Sequence, residues 1–175
     1  MAGRWLHARD VDVRDLVDVI REGAAAPAPP SAQRVEQGGP VYDCAALPTD
    51  RSALLAEWGD VLEHGAGILV LAGALDDLGA VDRISASFDE LIAQQRAAGV
   101  STGNHYAKPG ANDRVWNAMA KLAVHDPEGF VRYYANELLA MICTAWHGPA
   151  YQITSQVNVV NPGGEAQMPH CDYHH

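Results

Sequence analysis

Positive charge is scarce in this chain. Lys and Arg number 12 against 22 Asp and Glu, a formal net charge of -10. Nucleic acid and anionic membrane surfaces are held by clustered Lys and Arg, so this balance argues against both partners. Cysteine is scarce too. Cys44, Cys143 and Cys171 are odd in number, widely spaced and form no Cys-x-x-Cys pair. Neither a disulfide framework nor a cysteine zinc site is indicated, and a reducing, cytoplasmic setting is the simplest expectation. No apolar run approaches the ~20 residues of a membrane span. The N-terminus, with Arg4, Arg9, Asp10 and Asp12, lacks the apolar centre of a signal peptide.

What is present describes a globular chain. Hydrophobic residues make up 48% of the 175 and charged residues 19%, enough for one domain with a buried core. Over 10–22, Val11, Val13, Leu16, Val17 and Ile20 approach helical spacing and predict a short amphipathic helix, read as a peripheral arm. The tract Ala24 to Ser31 holds Pro27, Pro29 and Pro30 and reads as a semi-rigid linker. Residues 1–39 are thus expected to be arm and linker, with the main domain over 40–175, starting near Pro40.

The domain reads first as helices. Thr49 or Asp50 caps a helix from about Arg51 to His64, with Leu54, Leu55, Trp58, Val61 and Leu62 as its apolar stripe. Ile68 to Leu71 is a short buried strand. A second helix runs from about Asp76 to Ala98, with Leu78, Val81, Ile84, Phe88, Leu91 and Ile92 facing the core. Residues 101–114 are turn formers that include His105, Tyr106, Lys108 and Arg114, and they predict a long loop. Asn112 or Asp113 then caps a helix through Val115, Trp116, Met119 and Leu122. Asp126-Pro127-Glu128 starts another, which continues to about Trp146 and closes at His147-Gly148-Pro149. His64, His125 and His147 all fall at helix ends and are read as structural.

The period then changes from 3.6 to 2. Tyr151, Ile153, Ser155, Val157 and Val159 alternate with Gln152, Thr154, Gln156, Asn158 and Val160, as in a strand with one polar face. Asn161-Pro162-Gly163-Gly164 is a turn cluster, after which a second strand returns through Met168-Pro169-His170-Cys171-Asp172. On a strand, His170 and Asp172 share a face about 7 Å apart, while the Cys171 thiol points the other way. An imidazole and a carboxylate so placed are two corners of a 2-His-1-carboxylate iron triad. His174 has the same parity, but three ligands on a straight strand would span about 13 Å, too far for one ion without a turn.

Three segments together carry a family likeness. They are Asn104 to Asn117 (NHYAKPGANDRVWN), Gln156 to Gly164 (QVNVVNPGG) and Gln167 to His174 (QMPHCDYH). Over roughly 40–174 the chain resembles the N-terminal part of a phytanoyl-CoA dioxygenase family protein. The resemblance implies an α+β chain: N-terminal helices followed by the first strands of a double-stranded β-helix, a jelly-roll or cupin-like core. It implies an Fe(II)- and 2-oxoglutarate-dependent dioxygenase that uses O2 to hydroxylate a small organic substrate. Within it, His170 and Asp172 look like the first two iron ligands, and Gln156 and Asn158 fall where the family contacts 2-oxoglutarate. Lys108 and Arg114 are candidates for an anionic group.

Two departures qualify these expectations. The family's later His ligand and its later basic residue for 2-oxoglutarate have no counterpart here. A jelly roll needs about eight strands, so the sequence is read as the first part of a longer enzyme, with exposed strand edges that favour self-association. Two other classes stay open on the residues alone. One is a non-catalytic α+β interaction module. The other is a metal-binding protein that uses the C-terminal cluster His170, Asp172, His174 and His175.

Overall fold

A computed structural model describes residues 12–25, 27–100 and 110–164. They form a mixed α+β architecture. In chain order the elements are α1 (Val13–Ala25), β1 (Arg34–Glu36), β2 (Gly39–Asp43), a 3-10 turn (Cys44–Ala46), α2 (Arg51–Glu63), β3 (Val70–Ala72), α3 (Leu78–Ala97), β4 (Asn112–Val115), α4 (Ala118–His125), α5 (Pro127–Tyr134), α6 (Glu137–His147) and β5 (Val157–Val160). The chain divides into two compact units, Met1–Ala74 with Glu137–Tyr151, and Leu75–Asn136 with Gln152–His175.

In the first unit, β1 and β2 form a hairpin, and β2 also pairs with β3 in parallel. The hairpin turns at Gln37 and Gly38, whose φ values of 50° and 86° match a two-residue turn of the type that follows strand twist. Pro40, where the sequence places the start of the main domain, pairs with Val35 inside this hairpin. α2 starts as expected: the Asp50 carboxylate accepts from the backbone N–H groups of Ser52 and Ala53. Leu54, Trp58 and Val61 are its buried residues. Tyr42 meets Trp58 edge to face at 5.8 Å between ring centroids, and Leu138, Met141, Ile142 and Ala145 of α6 close over this core. Tyr42 donates its hydroxyl to Glu57, at 2.9 Å, and the Ser31 hydroxyl donates to the same carboxylate at 2.8 Å. The end of the Pro-rich tract is therefore fastened to α2. The apolar residues of α1 that the sequence singled out, Val13, Leu16, Val17 and Ile20, are exposed. The Ile68 to Leu71 run, expected as a buried strand, is a strand only from Val70, and Val70 is exposed.

The second unit is built on α3. Ile84, Phe88 and Ile92 recur every four residues and put one stripe of the helix into the core. They pack with Val115, Ala118 and Leu122, and with the half-buried Phe130, Tyr133, Tyr134 and Val157. Each fully buried aliphatic or aromatic side chain here contributes about 1.5–3 kcal/mol relative to exposure. Leu78, expected on that stripe, is exposed, because α3 begins there behind its cap Asp77.

Two expectations are corrected. The helix expected over 126–146 is broken at Ala135 and Asn136 into α5 and α6. Phe130, Tyr133 and Tyr134 serve the α3 core, while Leu138, Met141 and Ile142 serve the α2 core. The start signal itself holds, with Asp126 accepting from the Gly129 N–H at 2.9 Å and Pro127 in the first turn. The second correction concerns Asn112 to Val115, read as the end of a loop and the cap of a helix. They form β4, and α4 starts only at Ala118, after the left-handed Asn117 at φ 52°.

Candidate functional site

β4 and β5 form an antiparallel ribbon in which Asn112 faces Val160, Asp113 faces Val159, Arg114 faces Asn158 and Val115 faces Val157. Alternate residues point to opposite sides, so the ribbon has two faces. The first is packed at Asp113, Val115 and Val157, while Val159 is exposed. Val115 is fully buried and Val157 packs on the α3 core. Asp113 is buried and ion-paired with Arg96 from the last turn of α3, with Nε to Oδ1 at 2.9 Å. The Asn161 side chain donates to Asp113 Oδ2 at 2.8 Å. The bonded carboxylate of Asp113 raises the Arg96 guanidinium above its ordinary pKa.

The second face carries Asn112, Arg114, Gln156, Asn158 and Val160, with Trp116 just beyond β4. The Arg114 guanidinium carbon lies 4.3 Å from the centroid of the Trp116 ring, a cation–π stack. Arg114 Nε is buried and has no hydrogen-bond partner among the described residues. Asn158 stands directly opposite Arg114, and both Asn158 and Gln156 are exposed. Burial alternates residue by residue from Tyr151 to Asn158, as the period-2 pattern predicts, although paired strand begins only at Val157. Asn112 is buried beneath the Asn161–Gly164 turn. A Cβ on Gly164 would come 2.5 Å from the Ala111 carbonyl and 2.9 Å from Asn112 Oδ1.

Of the residues singled out in the sequence, Gln156, Asn158 and Arg114 are brought together on this face. His170 and Asp172 lie outside the described residues, as do Lys108, Cys171, His174, His175 and the return strand that would hold His170. Among the described residues no group of three or more His, Cys, Asp or Glu could hold a metal ion. His64 closes α2 by donating its backbone N–H to Asp60, and His125 Nε2 is 3.1 Å from Glu90. Both agree with the structural reading. Trp116 was assigned to a helical stripe and its place beside Arg114 was missed. The signal was there in period 2, with Asn112, Arg114 and Trp116 on one side and Asp113 and Val115 on the other.

A separate cleft of about 240 Å³ lies between the Pro27–Pro30 segment and α2, and Glu57, Asp60 and His64 reach it. Glu57 is already engaged by Ser31 and Tyr42, so the cleft is a packing feature of the first unit. No described helix is long and apolar enough to cross a membrane.

Comparison with curated proteins and comparison with solved structures each returned no match. Comparison with protein families gave one. The phytanoyl-CoA dioxygenase (PhyH) family model matches residues 64–175, more than half of the chain and a span that includes β4, β5 and the His170-Cys171-Asp172 segment. The chain belongs to the phytanoyl-CoA dioxygenase (PhyH) family of oxygenase-type enzymes.

Proposed function

We propose that the protein is a non-haem oxygenase that depends on Fe(II) and 2-oxoglutarate and hydroxylates a small organic substrate. The observation that carries this reading is the reach of the family match. It runs through His170 and Asp172 and takes in the ribbon that precedes them. In this reading β4 and β5 are among the first strands of a cupin-like core, and residues 1–39 are an arm and an Ala/Pro linker.

The donor chemistry fits the metal. An imidazole and a carboxylate on one strand face suit Fe(II) and leave positions open for other ligands. His170 and Asp172 would hold the ion. Iron supplies the O2-dependent oxidising chemistry, with 2-oxoglutarate as the co-substrate it consumes. The chain's own contribution is to bind and orient. Gln156 and Asn158 carry side-chain amides on the open ribbon face, and each can donate to a carboxylate while accepting from a hydroxyl. Val115 and Val157, on the opposite face, anchor the ribbon to the α3 core, so those amides stand on a fixed base.

The test is an anaerobic Fe(II) titration of the protein with and without 2-oxoglutarate, read by the visible charge-transfer band of an iron–keto acid chelate. The expected result is a band that needs both additions and disappears in His170→Ala and in Asp172→Ala. A band that survives in both variants would remove those residues from the metal site and overturn the reading.

A further inference from the structure

We propose that Asn161 is a positioning residue for the iron centre. It clamps the Asn161–Gly164 turn onto β4 and so fixes the point from which the chain leaves the ribbon for His170 and Asp172. The inference rests on the reading of those two residues as iron ligands and goes beyond it, to what sets their place.

Asn161 lies one residue past the end of β5. It still makes three hydrogen bonds across to the segment that forms β4. Its backbone N–H donates to the Ala111 carbonyl at 2.9 Å. Its side-chain amide donates to the Gly110 carbonyl at 3.1 Å and to Asp113 Oδ2 at 2.8 Å. The task needs an amide, whose two N–H groups serve one acceptor each. An aspartate has neither and would set a second carboxylate against Asp113. The Asp113 acceptor is itself fixed, because it is buried and held by Arg96 in the last turn of α3. The turn is thus tied to the longest helix of its unit through a charge-assisted bond.

The turn itself is stiff. Pro162 has a locked φ, Gly163 has φ 83°, and the Gly164 N–H donates to the Asn161 carbonyl at 2.8 Å. This is a type II turn with Pro and Gly at the positions its geometry favours. It lies close on β4, where Gly164 leaves no room for a Cβ against Ala111 and Asn112. The two ends of the ribbon are held differently. Val115 and Val157 anchor one end in the α3 core. At the other end Val159 and Val160 are exposed, and the Asn161 hydrogen bonds hold the turn there. His170 follows Gly164 by six residues, a reach of at most about 22 Å. Metal ligands must be held to within about 0.5 Å of the productive geometry. On so short a tether, a loosened origin is passed on to the ligands, and iron binding must then supply the ordering.

The experiment is anaerobic equilibrium dialysis of Fe(II) against the metal-free protein, without 2-oxoglutarate, well below the melting temperature of each variant. We expect Asn161→Ala to bind Fe(II) about tenfold more weakly than the wild type, and Asn161→Asp more weakly still. Gly129→Ala lies in the same unit but outside the clamp and serves as the stability control. It should melt earlier yet bind Fe(II) within about twofold of the wild type. If Asn161→Ala fails to fold, Gly164→Ala takes its place, because it lifts the turn from β4 with Asn161 intact, and the same loss of about tenfold is expected. The proposal is overturned if Asn161→Ala, or Gly164→Ala in its place, binds Fe(II) like the wild type. It is also overturned if Gly129→Ala loses as much, since the loss would then be general destabilisation. His170→Ala separates the two readings. A wild type that binds no better than His170→Ala removes the metal site and the inference with it. Binding that needs His170 but is indifferent to Asn161 overturns the clamp alone.

Discussion

Arg96, in the last turn of α3, closes its guanidinium on the buried carboxylate of Asp113 in β4. This contact fixes which side of the ribbon is the inside. Asp113 and Val115 face α3, so Arg114 between them must face away. The polar face that the proposed chemistry uses is defined by an ion pair on the other side of the strand.

The pair is coupled, and its parts can be told apart. Arg96→Gln removes the guanidinium from the buried Asp113 carboxylate, to which Asn161 also donates. That change should cost about 2 kcal/mol, below the usual figure for a fully buried pair because Arg96 is more than half exposed. Adding Asp113→Asn removes the buried charge and should recover part of the loss. Urea midpoints of the two single variants and the double variant measure this, and a strictly additive double variant would rule the coupling out.

Tyr42 makes stability fall at high pH. Burial, then the hydrogen bond and the charge of Glu57, push its hydroxyl far above the ordinary tyrosine value near 10. The unfolded chain releases this proton near pH 10 while the folded chain keeps it. The linked stability is therefore complete below about pH 10 and declines as pH rises beyond it. Tyr42→Phe should lose about 1 kcal/mol at neutral pH through the bond to Glu57, and show a flatter decline in alkaline urea midpoints. Equal slopes for the two proteins would contradict this.

Gly129 and Gly164 cannot carry a side chain without rearrangement. A Cβ at Gly129 would clash with Asp126 Oδ2 and fall 2.8 Å from Ile84 Cδ1, so Gly129→Ala strikes both the cap of α5 and the α3 core. A loss of about 1–3 kcal/mol is expected. Gly164→Ala meets backbone oxygens of Ala111 and Asn161, which cannot swing aside as a side chain can. It should loosen the turn over Asn112. Thermal melts check the first, and amide exchange at Asn112 and Asn161 checks the second.

The proposed iron site predicts a separation of effects. His170→Ala or Asp172→Ala should lower Fe(II) affinity by at least about 100-fold. Gln156→Ala should leave Fe(II) affinity alone and weaken the apparent 2-oxoglutarate affinity several-fold, on the order of one lost charge-assisted hydrogen bond. Metal titration beside co-substrate titration distinguishes them, and a Gln156→Ala variant that loses iron would remove that residue from its proposed role.

The sequence by itself determined the local features. Asp50 and Asp126 announce their helices because a cap needs only one carboxylate and the next three residues. The stripe Ile84, Phe88 and Ile92 shows in the 3.6-residue period, and the alternation up to Asn158 shows in the period of 2. The His170-x-Asp172 spacing and the segments around it carried the family, because ligand spacing on a strand is also a local quantity. The tertiary structure alone decided what depends on distant partners. Asn112 to Val115 look like turn and cap residues, yet they become a strand because Val157 to Val160 supply the ladder more than 40 residues away. Val35 and Val41 belong to a hairpin that a Pro-rich neighbourhood disguised. The α5–α6 break depends on two cores that the helical period cannot distinguish. That Arg96 takes Asp113 is likewise fixed by packing rather than by spacing along the chain.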